Sequence, residues 1–73
     1  MRRVPVDSSV IATVGYDPDD RILEVEFRTG RLYHYFDVPA SRYAALMAAE
    51  SIGHYFNVAI RDKYRFVELG TPT

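Results

Sequence analysis

The cleanest hydropathy pattern in the chain is a period-2 alternation over residues 22–28. Leu23, Val25 and Phe27 fall on one side of an extended strand, and Glu24, Glu26 and Arg28 on the other. Upstream, Val10-Ile11-Ala12-Thr13-Val14 is rich in β-branched residues and predicts a strand that ends at Gly15. Between the two, Asp17-Pro18-Asp19-Asp20 has type I turn chemistry: Asp accepts from the turn backbone and Pro presets φ. The chain then reverses through Arg28-Thr29-Gly30. A two-residue type I′ loop needs φ > 0 at Thr29, which a β-branched residue resists. A three-residue loop with Gly30 left-handed avoids that strain and pairs Phe27 with Arg31, Val25 with Tyr33 and Leu23 with Tyr35. Tyr33 and Tyr35 then join the core face, while Leu32, His34 and Phe36 share the other face with Ile22, Glu24 and Glu26. A one-residue change in loop length reverses the assignment, and Tyr33 and Tyr35 become a surface platform for stacking on unpaired bases.

Beyond Val38-Pro39 the period changes to 3.6. Proline suits a helix's first turn, Tyr43, Leu46 and Met47 form an apolar stripe, and alanines 40, 44, 45, 48 and 49 raise helix propensity. Glu50-Ser51 breaks this helix, and Ser51 is a good N-cap for a second. There Ile52, Tyr55, Phe56, Ala59 and Ile60 cover one face, with His54, Asn57 and Arg61 opposite. Lys63 would return to the apolar face, so the helix is expected to end near Asp62. The expected fold class is α+β: a three-stranded antiparallel β-meander followed by two α-helices packed on one sheet face (β-β-β-α-α). Residues 65–69 are a candidate short C-terminal edge strand. One domain accounts for residues 1–73, with a core over about 7–69 and a breaker-rich, flexible tail at 70–73.

Composition narrows the function classes. A 73-residue chain that is 48% apolar has a small core and buries only about 60% of its unfolded surface. With no cysteine there are no disulfides, thiolate metal sites or thiol nucleophiles, which suits a reducing, cytoplasmic compartment. The uncharged runs, the longest being residues 8–16 and 51–60, are far too short to span a bilayer, no signal peptide is visible, and no membrane role is expected. The net charge of −1 excludes the strongly cationic footprint of a non-specific nucleic-acid binder and leaves room for a local patch.

Catalysis lacks its components. His34 and His54 have no metal-ligand spacing, so no metal or cofactor is expected. Ser8-Ser9 has no elbow motif or assigned base, and Glu24 and Glu26, facing Leu32 and His34, read as a solvated sheet face. The expectation is therefore a protein that is not an enzyme. The strongest functional signal is Ser51-Ile52-Gly53-His54, which opens a helix whose unpaired N–H groups and dipole favour an anion. Gly53 allows close backbone approach at a cost in helix propensity. Asn57 lies one turn beyond His54 and Arg61 one turn further, forming a donor stripe, while Lys63 and Arg65 flank Tyr64. Ser51, Gly53, His54, Asn57, Arg61, Lys63 and Arg65 are thus the candidate nucleic-acid-binding residues, with weak, salt-sensitive affinity expected. The bland reading of the same residues is a solvated helix face whose cationic end complements the dipole. A different class of function also fits: a protein-interaction domain or small homo-oligomer, with Leu32, Phe36 and the alanine-rich helix meeting a protein partner or a second copy.

The order of several short motifs resembles the KTSC domain, a module found at the C-terminus of some lysyl-tRNA synthetases and as a free-standing bacterial protein. The resemblance covers residues 7–64. It rests on Ser8-Ser9-Val10-Ile11, Gly15-Tyr16-Asp17, Leu23-Glu24-Val25-Glu26-Phe27 with Gly30, the central Tyr33-His34-Tyr35, Val38-Pro39, and Ser51-Ile52-Gly53-His54-Tyr55-Phe56-Asn57 followed by Ile60-Arg61. Ile52 departs from the family pattern, which often has lysine there. The fusion to a synthetase implies RNA as the nucleic acid; nothing about aminoacylation carries over to a chain without the synthetase.

Overall fold

In the computed structural model, which describes residues 1–70, Gly30 sits in the left-handed region at φ 93° and its amide donates to the Phe27 carbonyl at 2.9 Å. The Phe27 amide donates to the Arg31 carbonyl at 2.9 Å, and Val25 lies opposite Tyr33 and Leu23 opposite Tyr35. This is the three-residue turn and register that the reluctance of Thr29 to take positive φ implies. Tyr33 and Tyr35 therefore face inward. Tyr35 is 3% exposed and packed against Tyr33, Phe56 and Phe66, so it has no free ring face to offer a base. Tyr33 is half-buried at the margin.

The sheet has five antiparallel strands in the order β1-β2-β3-β4-β5: β1 Arg3–Pro5, β2 Ile11–Asp17, β3 Ile22–Phe27, β4 Leu32–Tyr35 and β5 Phe66–Gly70. Two helices, α1 Ala40–Ala48 and α2 Ile52–Ala59, separate β4 from β5 along the chain. Their residues Leu46 and Phe56, with Val38 before α1 and Ile60 after α2, join Ile11, Val14, Leu23, Val25 and Tyr35 in one core. The fold is α+β with both helices on one sheet face, and the sheet has five strands where three were expected.

The two additional strands lie at the edges, where the alternation signal is weakest; β1 was not expected, whereas β5 is the candidate C-terminal edge strand of residues 65–69. β1 is three exposed residues ending in a proline, which an edge strand tolerates because no ladder donor is required there. Its partner explains Gly15, which does not end β2. Arg3 pairs with Gly15, and a Cβ at Gly15 would lie 3.0 Å from the Arg2 carbonyl oxygen. Glycine is there so that β1 can cross. β5 is exposed along its whole length and so shows no alternation, yet it pairs antiparallel with β4. Gly70, assigned from sequence to the tail, closes β5 opposite Leu32. Residues 71–73, expected to fray, lie outside the described residues.

Pro39 stands at the N-cap of α1, and the Tyr43, Leu46, Met47 stripe packs on the core. Two contacts fix the entry into α1: the Tyr16 hydroxyl donates to the Val38 carbonyl at 2.6 Å, and the Tyr16 and Tyr43 rings stack with centroids 4.8 Å apart. Arg42 of α1 donates to the Tyr55 hydroxyl of α2 at 2.9 Å, tying the helices together and holding the guanidinium pKa above its ordinary value. Helix α2 stops at Ala59 rather than near Asp62. The amides of both Ile60 and Arg61 converge on the Phe56 carbonyl, at 3.0 and 2.9 Å, and this ends the helical ladder. On the outer sheet face Glu24 accepts from His34 Nε2 at 2.7 Å and pairs with Arg3 at 3.3 Å, while Thr13 donates to Glu26 at 3.1 Å.

Two predictions follow from this packing. Gly30→Ala places a side chain at positive φ and is expected to cost about 1–2 kcal/mol, read as a lower urea midpoint with an unchanged slope. Burial, reinforced by the neighbouring Tyr33, pushes the Tyr35 hydroxyl up to about 12. A folded-state value above the ordinary 10.0 means that the neutral phenol's contribution is complete below pH 10 and is lost as pH rises through 12. Tyr35→Phe is expected to lose less urea stability than the wild type across that interval; parallel curves would contradict the assignment.

Candidate functional site

Helix α2 is amphipathic. Phe56 points into the core, Ile60 at its C-cap is buried with it, and His54, Asn57 and Arg61 are exposed. Ser51 caps the helix as its sequence position implies: its Oγ accepts from the His54 amide at 3.2 Å and its carbonyl from the Tyr55 amide at 3.0 Å. The Ile52 and Gly53 amides, in the first turn, have no intrahelical acceptor. Gly53 faces the segment before β2. A Cβ there would meet Ser8 Oγ at 3.5 Å and Val10 at 3.6 Å, which is ordinary van der Waals contact, so packing alone does not demand glycine.

Two adjoining cavities run along this flank. The first, about 430 Å³, is bounded by Ser51, Gly53, His54 and Asn57 on one side and the residue 7–10 segment on the other. Asp7 and Glu50 also line it, so two carboxylates stand near the helix N-terminus. The second, about 590 Å³, lies between α2 and the β3–β4 hairpin and shares Ser9, Val10 and Asn57 with the first. Its interior is aromatic: Phe27, Tyr33, Tyr35, Phe56 and Phe66. Its rim has Arg28, Arg31, Arg61 and Asp62.

The structure therefore brings together Ser51, Gly53, His54 and Asn57 at one end and Asn57 and Arg61 at the other. Lys63 and Arg65 line neither cavity. Lys63 sits in the turn after α2, with its amide donating to the Ile60 carbonyl at 3.1 Å. The Arg65 guanidinium lies over the Phe36 ring, 5.1 Å from its centroid, and partly covers the Leu32/Phe36 side of the sheet. The three rim arginines differ in their ties. Arg28 Nε donates to the Ser8 carbonyl at 2.7 Å and Arg31 lies 3.6 Å from Glu68, whereas Arg61 makes no ion pair among the described residues.

Arg28, Arg31 and Phe66 were not singled out from the sequence. Arg31 was legible: the register that turns Tyr33 and Tyr35 inward also places Arg31 on that side, opposite Phe27. Phe66 was not, because its strand shows no alternation.

The remaining polar groups are committed locally. Ser8 Oγ accepts from the Val10 and Ile11 amides at 3.1 and 3.2 Å, forming the turn that leads into β2. His34 is bound to Glu24 on the outer face, remote in the sheet from that turn. Among the described residues no group of three or more His, Cys, Asp or Glu is placed to hold a metal ion, and no helix is long and apolar enough to cross a membrane.

The family model for the KTSC domain matches residues 7–64. An uncharacterized protein of Stutzerimonas stutzeri is 45% identical over 67 residues, covering 90% of this chain and 94% of that protein. A lysine–tRNA ligase of Nostoc punctiforme is 38% identical over 63 residues; the match takes in 86% of this chain and 11% of the ligase. The crystal structure of a KTSC domain protein from Yersinia pestis has a TM-score of 0.92 at 40% identity, covering 94% of this chain and 97% of that one. With agreement in sequence and in backbone over nearly its whole length, this chain belongs to the KTSC domain family.

Proposed function

We propose that the protein is a small, non-catalytic RNA-binding module whose contact surface is the exposed flank of α2. The observation that supports this most strongly is the line of unengaged donors along one helix edge. It begins with the Ile52 and Gly53 amides, continues through His54 and Asn57, and is extended in the turn past the helix by Arg61, an exposed cation without an internal carboxylate among the described residues. Asp7 and Glu50 disfavour a phosphate at the helix start, so the phosphate contacts concentrate at the Arg61 end, where Arg28 and Arg31 add positive charge. Lys63 and Arg65 reach only a strand that continues past this end. RNA is favoured as the polyanion because relatives carrying this domain in 11% of their length are lysine–tRNA ligases, whose name joins lysine to tRNA.

A second reading is favoured by a different feature. β5 is an edge strand on which Phe66, Val67 and Leu69 are 44–50% exposed, a surface suited to a protein partner or a second copy. Sedimentation at several concentrations separates the self-association version: a strict monomer removes it.

On the RNA reading, two to four phosphate contacts give a log–log salt slope of about −1.4 to −2.8 for single strands. Arg61→Ala is expected to weaken binding at low salt and to make that slope shallower by about 0.7. Equal affinity and slope in wild type and variant, or no binding at low salt, would remove the proposal.

A further inference from the structure

The groove between α2 and the β3–β4 hairpin has a chemistry that the phosphate contacts do not use. Tyr35 and Phe56, 3% and 2% exposed, form its floor. Phe27 and Tyr33 are half-buried beside them, and Phe66 stands at the mouth, 50% exposed, with its ring 5.7 Å from that of Tyr33. At about 590 Å³ the space is of the size that takes a small ligand or one unit of a polymer. Its lining asks for three properties at once. Ring faces favour a flat aromatic group. Asn57, with both a donor and an acceptor, suits a heterocycle edge. Arg28 and Arg61 against Asp62 on the rim, with Arg31 and Glu68 offsetting one another, leave a net positive charge that favours an attached negative one. An apolar peptide side chain would leave the arginines and Asn57 unused, and a base within a duplex would not expose its faces.

We infer that this groove receives one unpaired RNA base, stacked on the half-exposed ring of Phe66, with its edge against Asn57 and its phosphate against Arg61. The inference rests on the RNA reading above and adds to it: the flank of α2 supplies attraction, and the groove supplies selectivity for an unstacked nucleotide. Tyr33 supports Phe66 from within: its hydroxyl donates to Glu68 at 3.2 Å and its ring packs against Phe27, Tyr35 and Phe66. Phe66 is half exposed on an edge strand, so its replacement leaves the core intact.

Fluorescence anisotropy at low salt, with short unstructured RNA oligonucleotides, tests this. The probes are the intact oligonucleotide and the same sequence with a single abasic nucleotide moved through each position. At one position the abasic probe is expected to bind about tenfold more weakly. Phe66→Leu, which keeps apolar bulk but removes the ring, is expected to weaken the intact oligonucleotide by a similar factor and the abasic one hardly at all, with Phe66→Tyr restoring affinity. Binding that is indifferent to the abasic position, or an equal effect of Phe66→Leu on both probes, would overturn the groove assignment and leave RNA binding standing. Absence of binding by every oligonucleotide would overturn both.

Discussion

The left-handed residue at Gly30 is the constraint on which the arrangement depends. A turn of three residues that closes on positive φ pairs Phe27 with Arg31 and thereby commits every later residue of β4 to one side of the sheet. Because side chains alternate with a period of two, the same choice does three things. It gathers Tyr33 and Tyr35 with Phe27 and Phe56 into an inward aromatic cluster. It sends His34 outward to pair with Glu24. It leaves Arg31 at the end of the aromatic row, on the rim of the groove. One glycine thus decides both what the core is made of and what the candidate surface contains.

The helices depend on this sheet. With nine and eight residues, α1 and α2 are too short to persist alone in water, so their positions are set by burial of Leu46, Phe56 and the adjoining Ile60. The direction in which α2 presents Asn57, and the turn after it presents Arg61, is therefore a consequence of which neighbouring residues are buried. The segment before β2 completes the surface from the other side. Ser8 organises that segment through two backbone amides, and its carbonyl holds Arg28, so the hairpin turn and the loop are fixed to one another. A surface assembled this way is rigid at its base and polar at its edge, which suits recognition of a flexible strand that must pay its own ordering cost.

Much of this was legible in the amino-acid order, and the exceptions share a cause. The alternation of residues 22–28, the β-branched dislike of positive φ at Thr29, the Ser51 cap and the apolar face of α2 each state their own structure locally. β1 does not, because an exposed edge strand needs no alternation, and Gly15, read as the end of a strand, is instead the position where the β1 backbone comes close; β5 was legible only as a candidate edge strand. The candidate site was divided in the same manner. His54 and Asn57 follow from helical spacing, while Arg61, Lys63 and Arg65 all lie past the end of α2 at Ala59; Arg61 stays beside Asn57 because its amide closes on the Phe56 carbonyl, and Lys63 and Arg65 do not. The carboxylates of Asp7 and Glu50 at the helix start, and Phe66 at the groove mouth, come from contacts across the fold.

The central claim is that one face acts: the flank of α2 together with the hairpin turn. Amide chemical-shift mapping during titration with a short unstructured RNA tests it most directly. The account predicts shifts clustered at Gly53, Asn57, Arg61, Arg28 and Arg31, with Glu24 and His34 on the outer sheet face unmoved. Shifts confined to the outer face, or to β5 without the α2 flank, would contradict it.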